Sequence, residues 1–146
     1  MALQLTGCGS GQQDTVSDQG QAEKTVAIAT PYLTSATTQM MVKELEKGLA
    51  DAGMETNTVG TADYAELASR LEDLVTMQMD AIVLVSVDVN EIQTQVQHAI
   101  DAEIPVFGVD SGYLAGMQVN APSDNYAMGE MMTTYLFHDL MHDEGT

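Results

Sequence analysis

Residues 66–88 read ELASRLEDLVTMQMDAIVLVSVD. The first half carries Leu67, Leu71, Leu74 and Val75 at helical spacing, behind Asp63 and Glu66, which are placed as a capping box. The second half, AIVLVS from Ala81 to Ser86, is apolar without polar alternation. A strand of that kind is covered on both faces, as in a parallel sheet, whereas a strand with one wet face would alternate. A one-faced helix leading directly into a two-faced strand is therefore the repeating unit to look for on either side.

It recurs in both directions. Upstream, TVAIAT (25–30) reads as a strand, and a helical pattern follows with Met41, Leu45, Leu49 and Ala52 on one face, stopped by Gly53. ETNTVG (55–60) is a weaker strand. Downstream, Asp88 or Asn90 caps a third helix with Ile92, Val96, Ala99 and Ile100 on its face, and Pro105 opens PVFGVD (105–110). MQVNA (117–121) is a shorter strand, and PSDN (122–125) leads into a helix expected from about Ser123 to His142. Strict alternation of five strands with four helices predicts an α/β fold: a doubly wound parallel sheet with right-handed crossovers and helices on both faces. Ligands of such sheets bind at the carboxyl ends of the strands, where the strand order reverses.

Composition narrows the function. The 146 residues hold 22 acidic and 4 basic side chains, a formal charge of −18. Such a field repels phosphate backbones and anionic lipid, so no nucleic-acid partner is expected. The carboxylates are spread as a solvated surface and nowhere cluster as a metal loop would. The eleven methionines fall mostly at helix positions, as core fillers. One cysteine, Cys8, rules out an internal disulfide and leaves a residue that packs, reacts or carries a modification. It sits in LTGCGSGQQD (5–14), and residues 9–23 form a flexible Gly, Ser, Gln and acid tether.

The expected carboxyl edge is polar. Thr30, Thr34, Ser35, Thr37 and Thr38 gather after the first strand, where a helix N-terminus presents free amides. Ser86 ends the third strand and Asp110 the fourth, and a carboxylate there can accept two hydroxyl hydrogen bonds. Catalytic alternatives find no support at this edge. Cys8 lies in the tether, away from His98, His138 and His142, and a pair at 138 and 142 has no third metal ligand. No GxSxG, Walker loop or GxGxxG occurs. A phosphorylation receiver would need an acidic pair where Thr30 and Pro31 stand and a lysine where Asn120 and Ala121 stand. No enzyme, cofactor or metal is expected.

Four stretches together carry a family resemblance: TVAIATPYLTSATTQMMVKELEKGLADAG, ELASRLEDLVTMQMDAIVLVSVD, AIDAEIPVFGVDSG and APSDNYAMGEMM. From Lys24 onward the chain resembles the N-terminal lobe of the type I periplasmic binding proteins of sugar ABC transporters, the ribose-binding group in particular. The resemblance implies a non-enzymatic, extracytoplasmic protein that binds a small polar solute, a monosaccharide above all, for an ABC permease or a sensor. It implies ligand contacts from Asp110, Ser86 and Ser35. Thr37 and Thr38 stand where ribose-type proteins place two aromatic rings, Ser111 stands where many carry arginine, and Tyr32 is a replacement stacking ring. Ser123, Asp124 and Asn125 would form a hinge crossing to a second lobe.

The resemblance also addresses Cys8, because Leu5-Thr6-Gly7-Cys8 fits a lipoprotein box whose cysteine becomes acylated, the one expected route to a membrane. MALQLTG lacks the basic start and apolar core of a secretory signal, so the chain is expected to be clipped at its front. The organisation that follows is 1–23, signal remnant and tether; 24–122, N-terminal lobe; 123–146, crossing segment and first helix of a truncated second lobe. Half a cleft should bind weakly, and the last helix, with Met128, Met131, Met132, Tyr135, Leu136, Leu140 and Met141 uncovered, should favour self-association. Two alternatives stay open: a stand-alone interaction or dimerisation lobe that binds no solute, and a component of a sugar-sensing receptor.

Overall fold

The computed structural model describes residues 24–142, so Cys8 and the tether expected over 1–23 lie outside the described residues. The elements are β1 (Thr25–Thr30), α1 (Ala36–Asp51), β2 (Glu55–Gly60), α2 (Tyr64–Thr76), β3 (Ala81–Val85), α3 (Gln93–Asp101), β4 (Val106–Val109), β5 (Val119–Ala121) and α4 (Asn125–Thr134). All strand pairs are parallel, in the order β2-β1-β3-β4-β5. The doubly wound parallel sheet that the apolar runs imply is the fold the chain adopts.

The strand order decides where the helices go. The chain steps one way from β1 to β2 and the other way from β2 to β3 and β3 to β4, so right-handed crossovers send α1 to one face and α2 with α3 to the other. The packing follows that division. Leu67, Leu71 and Leu74 of α2 and Val96 and Ala99 of α3 bury against Ala27, Ala29, Ile82, Leu84 and Val106. Met41, Val42, Leu45 and Leu49 of α1 meet Val26, Ile28, Val83 and Val85 on the opposite face. Each fully buried aliphatic side chain contributes about 1.5–3 kcal/mol, so the two-helix face holds most of the stability. On the α1 face β4 is only partly covered. There an apolar groove of about 420 Å³ remains between Leu45, Leu49 and Met54 and the strand residues Val83, Phe107 and Val109.

Local signals act as read, with three corrections. Asp63 caps α2, its carboxylate accepting the N–H of Glu66 at 2.8 Å, while the Glu66 carboxylate accepts the N–H of Ala62 at 3.1 Å. Gly53, at φ 75°, turns the chain out of α1. Ala52, however, sits exposed at the C-cap rather than on the apolar face, and the buried positions of α1 are Thr38 and Val42. The third helix does not start at its cap: Asp88 accepts the N–H of Asn90 at 3.0 Å and first closes a tight 3-10 turn, Val89–Ile92, which buries Val89 and Ile92 before α3 begins. The last helix is not a single α-helix from Ser123 to His142 either. It is α4 followed by a wider π segment, Tyr135–Leu140, in which the N–H of Met141 reaches back five residues to Leu136 at 3.0 Å. Among the described residues no strand of the sheet lies under this end to impose a packing register on its turns.

Candidate functional site

Register brings the sites together. Val85 pairs with Val109 and Val109 with Ala121, so the residues that follow, Ser86, Asp110 and Pro122, stand side by side at the carboxyl edge. The reversal of strand order falls between β1 and β3, and the loops leaving β1 and β2 flank them. The result is an open groove of about 370 Å³. Its floor is Ser86 to Asp88 and Asp110 to Gly112; Tyr32 and Tyr64 bound it on one side, and Pro122, Ser123 and Asn125 on the other.

Ser86 and Asp110 have φ values of 55° and 50°, the left-handed backbone region that residues with a Cβ enter at a cost of about 1–3 kcal/mol. Two such residues on adjacent strand ends put a hydroxyl and a carboxylate next to each other, Ser86 Oγ lying 3.5 Å from Asp110 Oδ2. That separation is too long for a strong mutual bond, which leaves both groups able to bond a guest.

The tyrosines form the apolar side. Tyr64 is the first residue of α2, and its hydroxyl accepts the N–H of Asp88 at 2.9 Å, tying α2 to the turn after β3. Its ring meets that of Tyr32 edge to face, with centroids 6.4 Å apart and planes at 83°. Burial, above all, raises the Tyr64 pKa above 10.0; the Asp88 N–H opposes the rise and Tyr32 adds to it. The phenol therefore stays neutral and keeps a proton to donate. Tyr32 is half exposed, its N–H held by Thr30 Oγ1 at 3.1 Å.

Other expected contacts are placed elsewhere. Ser35 caps α1 at its exposed start without a side-chain cap bond, Thr37 is exposed on the helix, and Thr38 is 3 % exposed, inside the fold. None of the three borders the groove. Ser111 borders it, but its hydroxyl faces the backbone: it accepts the N–H of Val87 at 3.0 Å and donates to the carbonyl of Leu84 at 2.9 Å. Ser123 and Asn125 line the rim, and Asp124 caps α4 by accepting the N–H of Ala127 at 2.9 Å. Tyr64, and Asp88 in a role beyond the cap expected of it, are groove residues that the sequence did not mark as such. The signal for both was the same as for Ser35, a position just past a strand end at the start of a helical turn.

Chemically, this edge can accept hydroxyls at one side of a guest and present rings to the other. His98 is on α3, 2.8 Å from Glu72 of α2, away from the groove. Among the described residues no three His, Cys, Asp or Glu side chains converge as metal ligands, and no helix is long and apolar enough to cross a membrane.

Three solved structures are similar in fold. A sugar-binding protein of a sugar ABC transporter from Bacillus halodurans is 23% identical, with a TM-score of 0.73 over 84% of this chain and 43% of its own. An ABC transporter solute-binding protein from Agrobacterium vitis, with bound allitol, is 24% identical, with a TM-score of 0.71 over 80% of this chain and 40% of its own. A 5-methylthioribose transporter solute-binding protein from Thermotoga lettingae, in complex with 5-methylthioribose, is 16% identical, with a TM-score of 0.73 over 80% of this chain and 38% of its own. The chain thus spans about two fifths of the length of these proteins. Among curated proteins none matches the chain. The model of the periplasmic binding protein domain matches residues 26–145. With that match running from the second residue of β1 across the sheet, its carboxyl edge and the helix beyond, the chain belongs to the periplasmic binding protein domain family.

Proposed function

We propose that the groove binds a small polyhydroxylated solute, a monosaccharide or its polyol, for delivery to an ABC permease. The observation that carries this reading is the pairing of Ser86 and Asp110, held side by side in left-handed backbone at the carboxyl edge, next to the switch point of the sheet. Asp110 accepts two hydroxyls of the solute, Ser86 exchanges one, and Tyr32, braced by Tyr64, lies along its less polar face. The ligands of similar folds, allitol and 5-methylthioribose, are of this chemical kind. In the same reading residues 24–122 are the solute-binding lobe, Ser123, Asp124 and Asn125 are the strap to a second lobe, and a lipid on Cys8 tethers the protein to the membrane. A sugar sensor in place of the permease would use the same groove.

An open groove contacts one side of its guest, so binding by this chain is expected to be weak, with a dissociation constant of about 1 mM or higher, roughly 4 kcal/mol. Amide NMR during titration with a panel of monosaccharides and polyols should move Ser86–Asp88 and Asp110–Gly112, and Asp110→Ala should abolish the response. Silence of those amides towards the whole panel, or an unaltered response in the variant, overturns the reading.

A second reading, a self-associating lobe, is favoured by α4. That helix and the π segment that continues it leave Met128, Met131, Met132, Tyr135, Leu136 and Leu140 exposed. Apolar stripes of this size on a helix mark contact surfaces. Sedimentation velocity should show mass rising with concentration, and Met132→Glu with Leu136→Glu should restore the monomer. A wild-type chain that is monomeric throughout removes this reading and leaves solute binding untouched.

A further inference from the structure

Asn120, in the middle of the three-residue strand β5, has one half of its amide bonded and the other half buried without a hydrogen-bond partner among the described residues. Its Nδ2 donates to the carbonyl of Ser111 at 2.7 Å, while Oδ1 is the unpaired atom. A buried acceptor with no donor is destabilising, and an apolar side chain on this strand would avoid it. The space for the amide exists because the facing residue is Gly108: a Cβ there would run into the side chain of Asn120. Two unfavourable choices, an orphaned oxygen and a glycine inside a strand, thus serve one hydrogen bond.

That bond closes a network around the groove floor. Ser111 is gripped at its carbonyl by Asn120 and at its hydroxyl by Val87 and Leu84, and Gly112 returns an N–H to the carbonyl of Val87 at 2.9 Å. The turns after β3 and β4 are therefore stitched together immediately beyond their two left-handed residues, Ser86 and Asp110. Without the stitch, each residue would relax towards the extended region that a side chain with a Cβ prefers.

We propose that Ser111 and Asn120 are positioning residues, not solute contacts: their hydrogen bonds keep Ser86 and Asp110 in the left-handed backbone that presents the hydroxyl and carboxylate to the groove. The role assigned to the two presented groups rests on the solute-binding reading; the control of their backbone does not. Ser111 thus differs in kind from the arginine that the resemblance places at its position, since its hydroxyl is spent on the protein.

The test uses the whole chain with Asn120→Leu and, separately, Ser111→Ala. Asn120→Leu removes the buried, unpaired Oδ1 together with the hydrogen bond to Ser111, two opposed effects, so its urea midpoint should stay close to wild type. The HN–Hα couplings and Cα shifts of Ser86 and Asp110 should nevertheless leave the left-handed range, and the amides of Val87 and Gly112 should exchange at least about tenfold faster. Ser111→Ala should do the same even if the leucine variant folds poorly. Titration with D-ribose and allitol should show weakening of about tenfold in both variants. Unchanged couplings and exchange at residues 86–88 and 110–112 in both variants, whatever happens to the midpoint, would falsify the proposal. If wild type binds neither probe, the solute reading fails in its own right, and the couplings still decide whether these residues position the edge.

Discussion

Leu71→Ala is expected to remove about 2–5 kcal/mol of folding stability. Leu71 is 1% exposed and lies at the centre of the α2 stripe, between Leu67 and Leu74. Beneath it β1 contributes Ala27 and Ala29, whose small side chains bring the helix backbone close to the sheet. A truncated side chain there leaves a void that alanines cannot reach across to fill, so the cavity cost adds to the lost transfer energy. A domain of this size has about 5–15 kcal/mol in total, and the substitution consumes a large part of it. Leu45→Ala on α1 is the comparison: Leu45 is partly buried beside an existing groove, so its loss should cost clearly less. Urea unfolding followed by far-UV dichroism, at unchanged m-value, measures both. Equal losses at the two positions would mean that the faces of the sheet are not as unequal as their helix cover implies.

Gly108→Ala is the second large effect, with an expected sign opposite to the one backbone propensity gives. Replacing glycine inside a strand ordinarily stabilises by about 0.5–1 kcal/mol, because the unfolded chain loses freedom. Here the new Cβ would collide with the Asn120 amide, its Cγ lying 3.0 Å away, and would press on Met117 Cε at 3.2 Å. Asn120 is anchored at Ser111, and Met117 is buried, with its sulfur taking the N–H of Leu114 at 3.2 Å. Neither neighbour can withdraw without breaking the β4–β5 connection, so a net loss of about 1–3 kcal/mol is expected. Removing the obstacle should recover part of it: in a double-mutant cycle, Gly108→Ala with Asn120→Ala should be less destabilised than the sum of the two single variants. A neutral or stabilised Gly108→Ala would show that Asn120 moves aside freely, and the close packing at this corner would be refuted.

Much of the fold was legible because its signals are local. The apolar runs gave β1, β3 and β4, the Asp63 and Glu66 spacing gave the start of α2, and even the polar ETNTVG emerged as β2 over all six of its residues. The end of the chain was not legible in the same way. A helical pattern on Met128 to Met141 predicts a helix, yet the turn widens after Thr134, since a π segment has no distinct residue signature of its own. At the groove, Ser86 and Asp110 were found from their places at strand ends. Ser111 shows the limit of that rule. A serine following a strand-end aspartate reads the same whether its hydroxyl faces a guest or the backbone, and only the register of β3 against β4 aims it at Leu84 and Val87. Tyr64 was passed over because a tyrosine after a capping aspartate reads as helix surface until β1 and β3 bring its hydroxyl to Asp88.

The two margins of the sheet are unequal, and this bears on how the protein behaves when crowded. An exposed strand margin offers unpaired amides to any neighbouring strand, a route to uncontrolled assembly. β5 limits the offer by being three residues long. β2 runs for six residues along its margin and relies instead on charge, with the exposed Glu55 at its start, Glu46 reaching Thr58 from α1, and −18 on every approaching copy. The first protection is geometric and independent of the medium. The second is electrostatic, and it fades as salt shortens the screening length from about 10 Å at 0.1 M to about 3 Å at 1 M, so in brine the β2 margin is the side on which this molecule is adhesive.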